Sequence, residues 1–121
     1  MSTIEQLPPE IQERLARLQQ LQNTLQSLVI QKQRIEMEQK ETERALASLE
    51  EVSSETKVYK SIGSILVEKQ KDKVVDELKE RKDFLDMRLK VVSRQEGKTR
   101  ERLTSLQERL QKELSLTPVG P

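Results

Sequence analysis

The chain contains no cysteine and no histidine among its 121 residues. This absence excludes disulfides, thiol nucleophiles and acid–base catalysis by an imidazole. Tyr59 and Phe84 are the only aromatic residues. Hydrophobic residues make up 33% of the chain and charged residues 36%, compared with about 25% charged in an ordinary globular domain. The composition argues against a compact globular core, and we expect no catalytic residue, no metal site and no cofactor.

Proline is confined to the two ends of the chain, with none between Pro9 and Pro118. About half of the residues are Ala, Glu, Lys, Leu or Arg, which is typical of long helices and coiled coils. The net charge is only +1, so no strong field favours nucleic acid or an anionic membrane. No apolar stretch reaches the roughly 20 residues of a membrane span, and the N-terminus lacks the apolar segment of a signal peptide. We therefore expect a soluble, cytoplasmic protein with no membrane partner.

The first predicted helix covers residues 9–52 and has a heptad repeat. Two series of positions alternate at spacings of three and four residues, which predicts the a and d positions of a coiled coil. The series are Ile11, Leu18, Leu25, Lys32, Gln39, Leu46 and Arg14, Leu21, Leu28, Ile35, Thr42, Leu49. Pro8 and Pro9 suit the first turn, because no N–H group is needed there.

The second predicted helix covers residues 73–114, with Asp72 as its N-cap and a flexible tail at 115–121. Its a and d positions are Val75, Leu78, Lys82, Leu85, Leu89, Val92, Glu96, Thr99, Leu103, Leu106 and Leu110. If the chain folds back at its middle, apolar layers of the two helices face each other, as in Leu21 with Leu106. The sequence therefore predicts a mainly α fold, a long antiparallel coiled coil within one chain.

A β-hairpin is predicted at residues 56–69, between the helices. Gly63 and Ser64 separate two runs of β-forming residues, which predicts a two-residue turn of type II′. One predicted face carries Val58, Ile62, Ile65 and Val67, and the other carries Tyr59 and Leu66. A helix pair is too narrow to cover both faces, and a lone hairpin is marginally stable with open edges. We expect hairpins of other chains to complete the sheet; the alternative is a hairpin folded against its own helices.

These features together resemble prefoldin subunits. The resemblance rests on the segment Val58-Tyr59-Lys60-Ser61-Ile62-Gly63-Ser64-Ile65-Leu66-Val67, on Leu7-Pro8-Pro9-Glu10 and on Leu78-Lys79-Glu80-Arg81. A single hairpin resembles the β type found in archaea and eukaryotes, where the α type carries two. The resemblance implies a hexamer of two α-type and four β-type subunits, in which the hairpins form a β platform. It also implies an ATP-independent holding chaperone that binds unfolded polypeptides, prevents their aggregation and passes them to a group II chaperonin.

The family resemblance places client binding at the tips of the coiled coil, opposite the hairpin. The apolar residues there are Ile4, Leu7, Ile11, Leu15, Leu18, Leu110, Leu114 and Leu116. Leu15, Leu114 and Leu116 lie off the a and d series, so this end is more apolar than one seam requires. Exposed apolar groups at helix ends suit weak, sequence-tolerant binding. The alternative for single residues is that Leu15 flanks the seam and that Ile4 and Leu116 belong to the tails.

The same residues bear on three other possible functions: a structural tether, an enzyme and a nucleic-acid-binding protein. A structural coiled coil that tethers a specific folded partner is the alternative function, since heptads fit it equally well. An enzyme is not expected, because carboxylates on exposed helix faces lack the burial that tunes a general acid or base. Nucleic-acid binding is not expected either, because acidic residues such as Glu68 and Asp72 interrupt the basic clusters, whereas nucleic acid needs a stripe of cations with stacking aromatics.

Overall fold

The computed structural model describes residues 6–116. Its elements are helix α1 at Pro9–Glu50, strand β1 at Val58–Ile62, strand β2 at Ile65–Lys69 and helix α2 at Lys71–Leu116. The predicted mainly α fold, with two long helices and one central hairpin, is confirmed. The described residues form two compact units. We call residues 6–31 and 92–116 the terminal unit and residues 32–91 the hairpin unit.

Helix α1 begins where the double proline allows it to. The carbonyl of Pro8 accepts hydrogen bonds from the N–H groups of Ile11 and Gln12 at 3.0 and 3.1 Å, so Pro8 is the N-cap and Pro9 the first helical residue. The helix ends at Glu50 and not at residue 52. The N–H groups of Glu51 and Val52 donate to carbonyls three residues earlier, and this tighter turn ends the regular α-helix.

The hairpin has the register that the two-residue turn dictates. Ile62 pairs with Ile65 next to the turn, and Val58 pairs with Lys69 at the open end. Gly63 has a φ of +59° and Ser64 has no positive φ. Only the first central residue of a type II′ turn needs positive φ, whereas type I′ needs it at both. The predicted type II′ turn is therefore confirmed, although β1 begins at Val58 and not at residue 56.

The predicted bounds of the second helix were wrong by two residues at each end, because residues 71 and 72 and residues 115 and 116, the last two predicted as tail, are helical. Helix α2 begins at Lys71, and the carbonyl of Gln70 accepts the N–H of Val74 at 3.2 Å. Gln70 is therefore the N-cap, and Asp72 lies inside the first turn, where its charge favours the positive helix end. The Lys71 ammonium donates to the carbonyl of Val52 at 2.6 Å, which satisfies a carbonyl just past the end of α1.

The heptad positions form the core of each unit. The buried residues in the described range are Ile11, Leu28, Ile35, Thr42, Leu85, Val92, Thr99 and Leu110. Every one of them occupies a predicted a or d position. The hydroxyls of Thr42 and Thr99 each donate to the carbonyl four residues earlier, at 2.8 Å. Both threonines can be buried because these bonds satisfy their polar groups.

Within each unit the two helical segments run antiparallel. In the terminal unit, Arg14 forms an ion pair with Glu113, and Leu21 lines the same groove as Leu106. In the hairpin unit, the Gln39 amide donates a hydrogen bond to Asp86 at 2.8 Å. Nearer the hairpin, the carbonyl of Val52 accepts a hydrogen bond from the Lys71 ammonium. Residue numbers thus rise on α1 as they fall on α2, as the sequence predicts.

Candidate functional site

The first candidate surface is formed by the hairpin residues singled out in the sequence, and we call it the hairpin surface. It consists of Val58, Tyr59, Ile62, Gly63, Ile65, Leu66 and Val67. Register alternation puts Val58, Ile62, Ile65 and Val67 on one face and Tyr59 and Leu66 on the other. Ile65 is 64% exposed and Leu66 69% exposed. Large apolar side chains are therefore uncovered on both faces of the hairpin.

The edges of the hairpin are also open. The sheet has two strands, and within residues 6–116 no third strand pairs with the outer edge of β1 or of β2. Each edge offers unpaired N–H and C=O groups that a further strand can bind. The hairpin surface combines these edges with exposed aliphatic groups, which are the properties of a sheet that another chain extends.

An ion-pair cluster ties the hairpin to the start of α2. The Lys60 ammonium of β1 donates to one carboxylate oxygen of Glu77 at 3.3 Å, and the Lys69 ammonium of β2 lies 3.6 Å from the other. The hydrogen bond and the charge of Lys60, with that of Lys69, lower the pKa of the Glu77 carboxyl. Lys60 and Lys69 lie on the face that carries Ile62 and Ile65. These ion pairs link the face of the hairpin that carries Lys60 and Lys69 to α2.

Sequence reasoning did not find Glu77. The strand period of two indicates that Lys60 and Lys69 share a face, because the turn sets the register. Nothing in the helical pattern distinguishes Glu77 from its acidic neighbours Asp76 and Glu80 as their partner. The choice of Glu77 depends on the residue at which α2 begins after the hairpin, and the sequence predicted this start two residues too late.

The second candidate surface is the helix-end surface, made of the apolar residues predicted for the tips. Ile11 and Leu110 are buried in the core of the terminal unit, 5% and 3% exposed. Leu7, Leu15, Leu18 and Leu114 are half-buried. Leu116 is 82% exposed, and Ile4 lies outside the described residues. The chain brings the described residues of this set to the same end of the terminal unit, with different degrees of access to solvent.

A charged cluster joins the two helices at this end. Glu113 of α2 pairs with Arg14 of α1 through one oxygen and accepts a hydrogen bond from Arg109 through the other at 3.0 Å. Arg14 occupies a predicted d position and Glu113 flanks the seam. The cluster holds the helix-end surface together across the two helices.

A further exposed apolar row was not singled out in the sequence. Phe84, Met87 and Val91 follow one another at spacings of three and four on α2, and all are exposed. The Arg81 guanidinium lies 5.5 Å from the centre of the Phe84 ring and also pairs with Glu38 of α1. The spacing of these residues outside the a and d series is a signal that could have found the row.

Among residues 6–116 no group of acidic side chains is placed to hold a metal ion. Neither helix, over its described length, has an apolar stretch long enough to cross a membrane.

Comparisons with known proteins agree with the resemblance seen in the sequence. A family model described as prefoldin subunit matches residues 12–115. The prefoldin subunit beta of Archaeoglobus fulgidus is 44% identical over 110 residues, which cover 91% of this chain and 95% of that protein. The subunit beta of Pyrobaculum neutrophilum is 42% identical over 109 residues, covering 90% and 86%. The crystal structure of the prefoldin beta subunit from Thermococcus strain KS-1 superposes with a TM-score of 0.79 at 38% identity, covering 98% and 100%. The chain therefore belongs to the prefoldin subunit family, on its β-type side.

Proposed function

We propose that this chain is the β-type component of a prefoldin hexamer of two α-type and four β-type subunits in the cytoplasm. In this assembly it holds unfolded polypeptides without ATP, prevents their aggregation and passes them to a group II chaperonin. The observation that carries the proposal is the hairpin surface, which is apolar on both faces and open at both edges in a chain of this family.

Assembly follows from what the hairpin leaves uncovered. Burying one large aliphatic side chain contributes about 1.5–3 kcal/mol, and Ile65 and Leu66 are both mostly exposed in the single chain. Because these two residues lie on opposite faces, one partner on one face covers only part of the apolar area. A closed arrangement of several hairpins covers both faces and pairs the open edges at the same time.

Client binding is assigned to the helix-end surface. Leu116 and the half-buried Leu7, Leu15 and Leu114 offer apolar contacts without a deep pocket. Such contacts are individually weak and accept many sequences, because hydrophobic attraction has no direction. Weak contacts also release a client by simple dissociation, so holding requires no nucleotide. A chaperonin that offers a larger apolar area then accepts the client.

The assembly is tested by native mass spectrometry of the chain alone and mixed with an α-type prefoldin subunit. We expect a complex of two α-type and four β-type subunits in the mixture. Ile65→Asp and Leu66→Asp should each prevent its formation, because each places a charge on one apolar face. Met87→Asp, at an exposed position of α2, is the matched control and should leave it intact. A stable dimer that ignores the α-type partner would contradict the proposal and favour a structural scaffold.

The holding activity is tested by light scattering with several unrelated proteins diluted from denaturant. The assembled wild type should suppress their aggregation at near-stoichiometric ratios. Leu116→Ser should weaken suppression while the hexamer persists, because it removes the most exposed apolar group among the described residues of the helix-end surface. Val91→Ser, an exposed apolar position elsewhere on α2, should not. Protection of none of the proteins would identify a tether for a folded partner.

A further inference from the structure

A groove runs along one side of the terminal unit, between its α1 and α2 segments. Its volume is about 470 Å³. The side chains that matter for its chemistry are Arg17, Leu21, Glu101, Arg102, Leu106 and Arg109. We call it the basic groove, because three of these side chains are cationic and one is anionic.

The cations of the basic groove differ in what holds them. Arg109 donates to Glu113 at 3.0 Å, and Glu113 also pairs with Arg14, so Arg109 is fixed in place. The side chains of Arg17 and Arg102 are exposed and form no hydrogen bond or ion pair with any other residue of 6–116. Two guanidinium groups beside the groove are therefore available to carboxylates of a ligand, and guanidinium matches the carboxylate fork.

The floor of the groove is apolar. Leu21 and Leu106 are predicted seam residues, yet both are only half-buried, so part of each leucine side chain faces the groove. No aromatic side chain lies there, because Tyr59 and Phe84 belong to the hairpin unit. Nucleic acid would need stacking partners or a longer cationic track. An apolar floor with cationic walls instead complements a peptide that carries both aliphatic and acidic side chains.

We infer that the basic groove binds extended segments of unfolded clients in which acidic and aliphatic residues alternate. The inference rests on the proposed holding function and adds a preference among clients. Glu10 and Glu13 line an adjoining hollow together with Arg14, Arg17 and Arg109. Their carboxylates repel a longer acidic stretch, so the acidic part of the bound segment is short and lies beside Arg17 and Arg102.

The size of the preference follows from the exposure of the two arginines. An exposed ion pair contributes little, and two of them together correspond to about a three- to tenfold gain in affinity. Because exposed charges are screened, the gain should fall as salt is raised. The neutral part of the affinity, which depends on Leu21, Leu106 and the helix-end surface, should change much less with salt.

The test measures fluorescence anisotropy with the assembled, full-length protein. The probes are a labelled peptide of alternating Asp and Leu and a peptide with Ser in place of Asp. We expect the acidic peptide to bind three- to tenfold more tightly, and this preference to vanish in the double variant Arg17→Gln/Arg102→Gln. Arg94→Gln/Arg100→Gln removes the same charge from exposed positions of α2 outside the groove and should keep the preference.

The outcomes separate this inference from the proposed function. Loss of the preference with unchanged binding of the neutral peptide and unchanged aggregation suppression supports the groove assignment. Equal affinities for the two peptides, or a preference that survives in Arg17→Gln/Arg102→Gln, overturns the inference and leaves the holding function standing. A single-stranded oligonucleotide that binds through Arg17 and Arg102 better than the acidic peptide also overturns it. Failure to bind either peptide, together with failure to suppress aggregation, refutes both.

Discussion

Leu85 offers the sharpest test of where the stability of the hairpin unit lies. Its side chain is 1% exposed and is the most deeply buried large side chain of the described residues. Leu85→Ala removes apolar contacts and leaves a cavity, which costs about 2–5 kcal/mol in protein cores. A seam of two helices has solvent on both flanks, and half-buried neighbours such as Leu89 can close part of the gap. We therefore expect a loss near the lower end, about 2–3 kcal/mol.

The free energy of unfolding is measured by urea denaturation, followed by circular dichroism at the helix band, with all samples at one protein concentration. Met87→Ala is the matched control, because Met87 lies two residues away on the same helix and is 63% exposed. A substitution there should cost less than about 0.5 kcal/mol. If Leu85→Ala and Met87→Ala lowered the free energy of unfolding equally, the heptad seam would not be the source of stability, and the reasoning would be refuted.

Two further predictions concern the backbone and the hairpin charges. Gly63→Ala should destabilise the chain by about 1–2 kcal/mol, because φ is +59° at Gly63. Gly97→Ala should stabilise the chain by about 1 kcal/mol, because Gly97 lies in a helix with open space around the added methyl. Urea midpoints of the two variants that shift in the same direction would contradict this pair of predictions. Because the pKa of Glu77 is lowered in the folded chain, its ion pairs stabilise the chain above the ordinary glutamate pKa of about 4.3 and stop doing so as the pH falls through the lowered value. The Tm difference between wild type and Glu77→Gln, measured by circular dichroism from neutral to acidic pH, should therefore shrink on acidification, and a growing difference would be inconsistent with the ion pairs with Lys60 and Lys69.

The elements that depend on local periodicity could be predicted from the sequence. Ile35, Thr42 and Leu85 are buried because a heptad spacing places them on one stripe of each helix, and that spacing is visible in the letters alone. Thr42 remains in the stripe despite its hydroxyl, because the hydroxyl bonds to its own helix. Gly63 fixes the turn because few other residues tolerate its φ. These features depend on residues that are close in sequence.

Features that depend on long, flexible side chains could not be predicted. Glu77 meets Lys60 and Lys69 because only one residue separates the end of β2 from the start of α2. The sequence predicted a later start for α2, because Asp72 is a favourable N-cap residue. The basic groove likewise needs Arg17 and Arg102, which are far apart in sequence and have no repeat that connects them. Acidic neighbours such as Glu101 make Arg102 look like a residue of an ordinary solvated helix face.

The antiparallel packing within the terminal unit couples the lengths of two distant stretches of sequence. An insertion in residues 9–31 shifts every later a and d position of that segment against its partner segment, unless an equal number of whole heptads is inserted in both segments. A matched insertion of one heptad in both segments keeps all layers paired and lengthens each helix by about 10.5 Å. Evolution or an engineer can therefore change the length of the terminal unit by adding or removing paired heptads. A single unpaired residue would instead disrupt every layer beyond it.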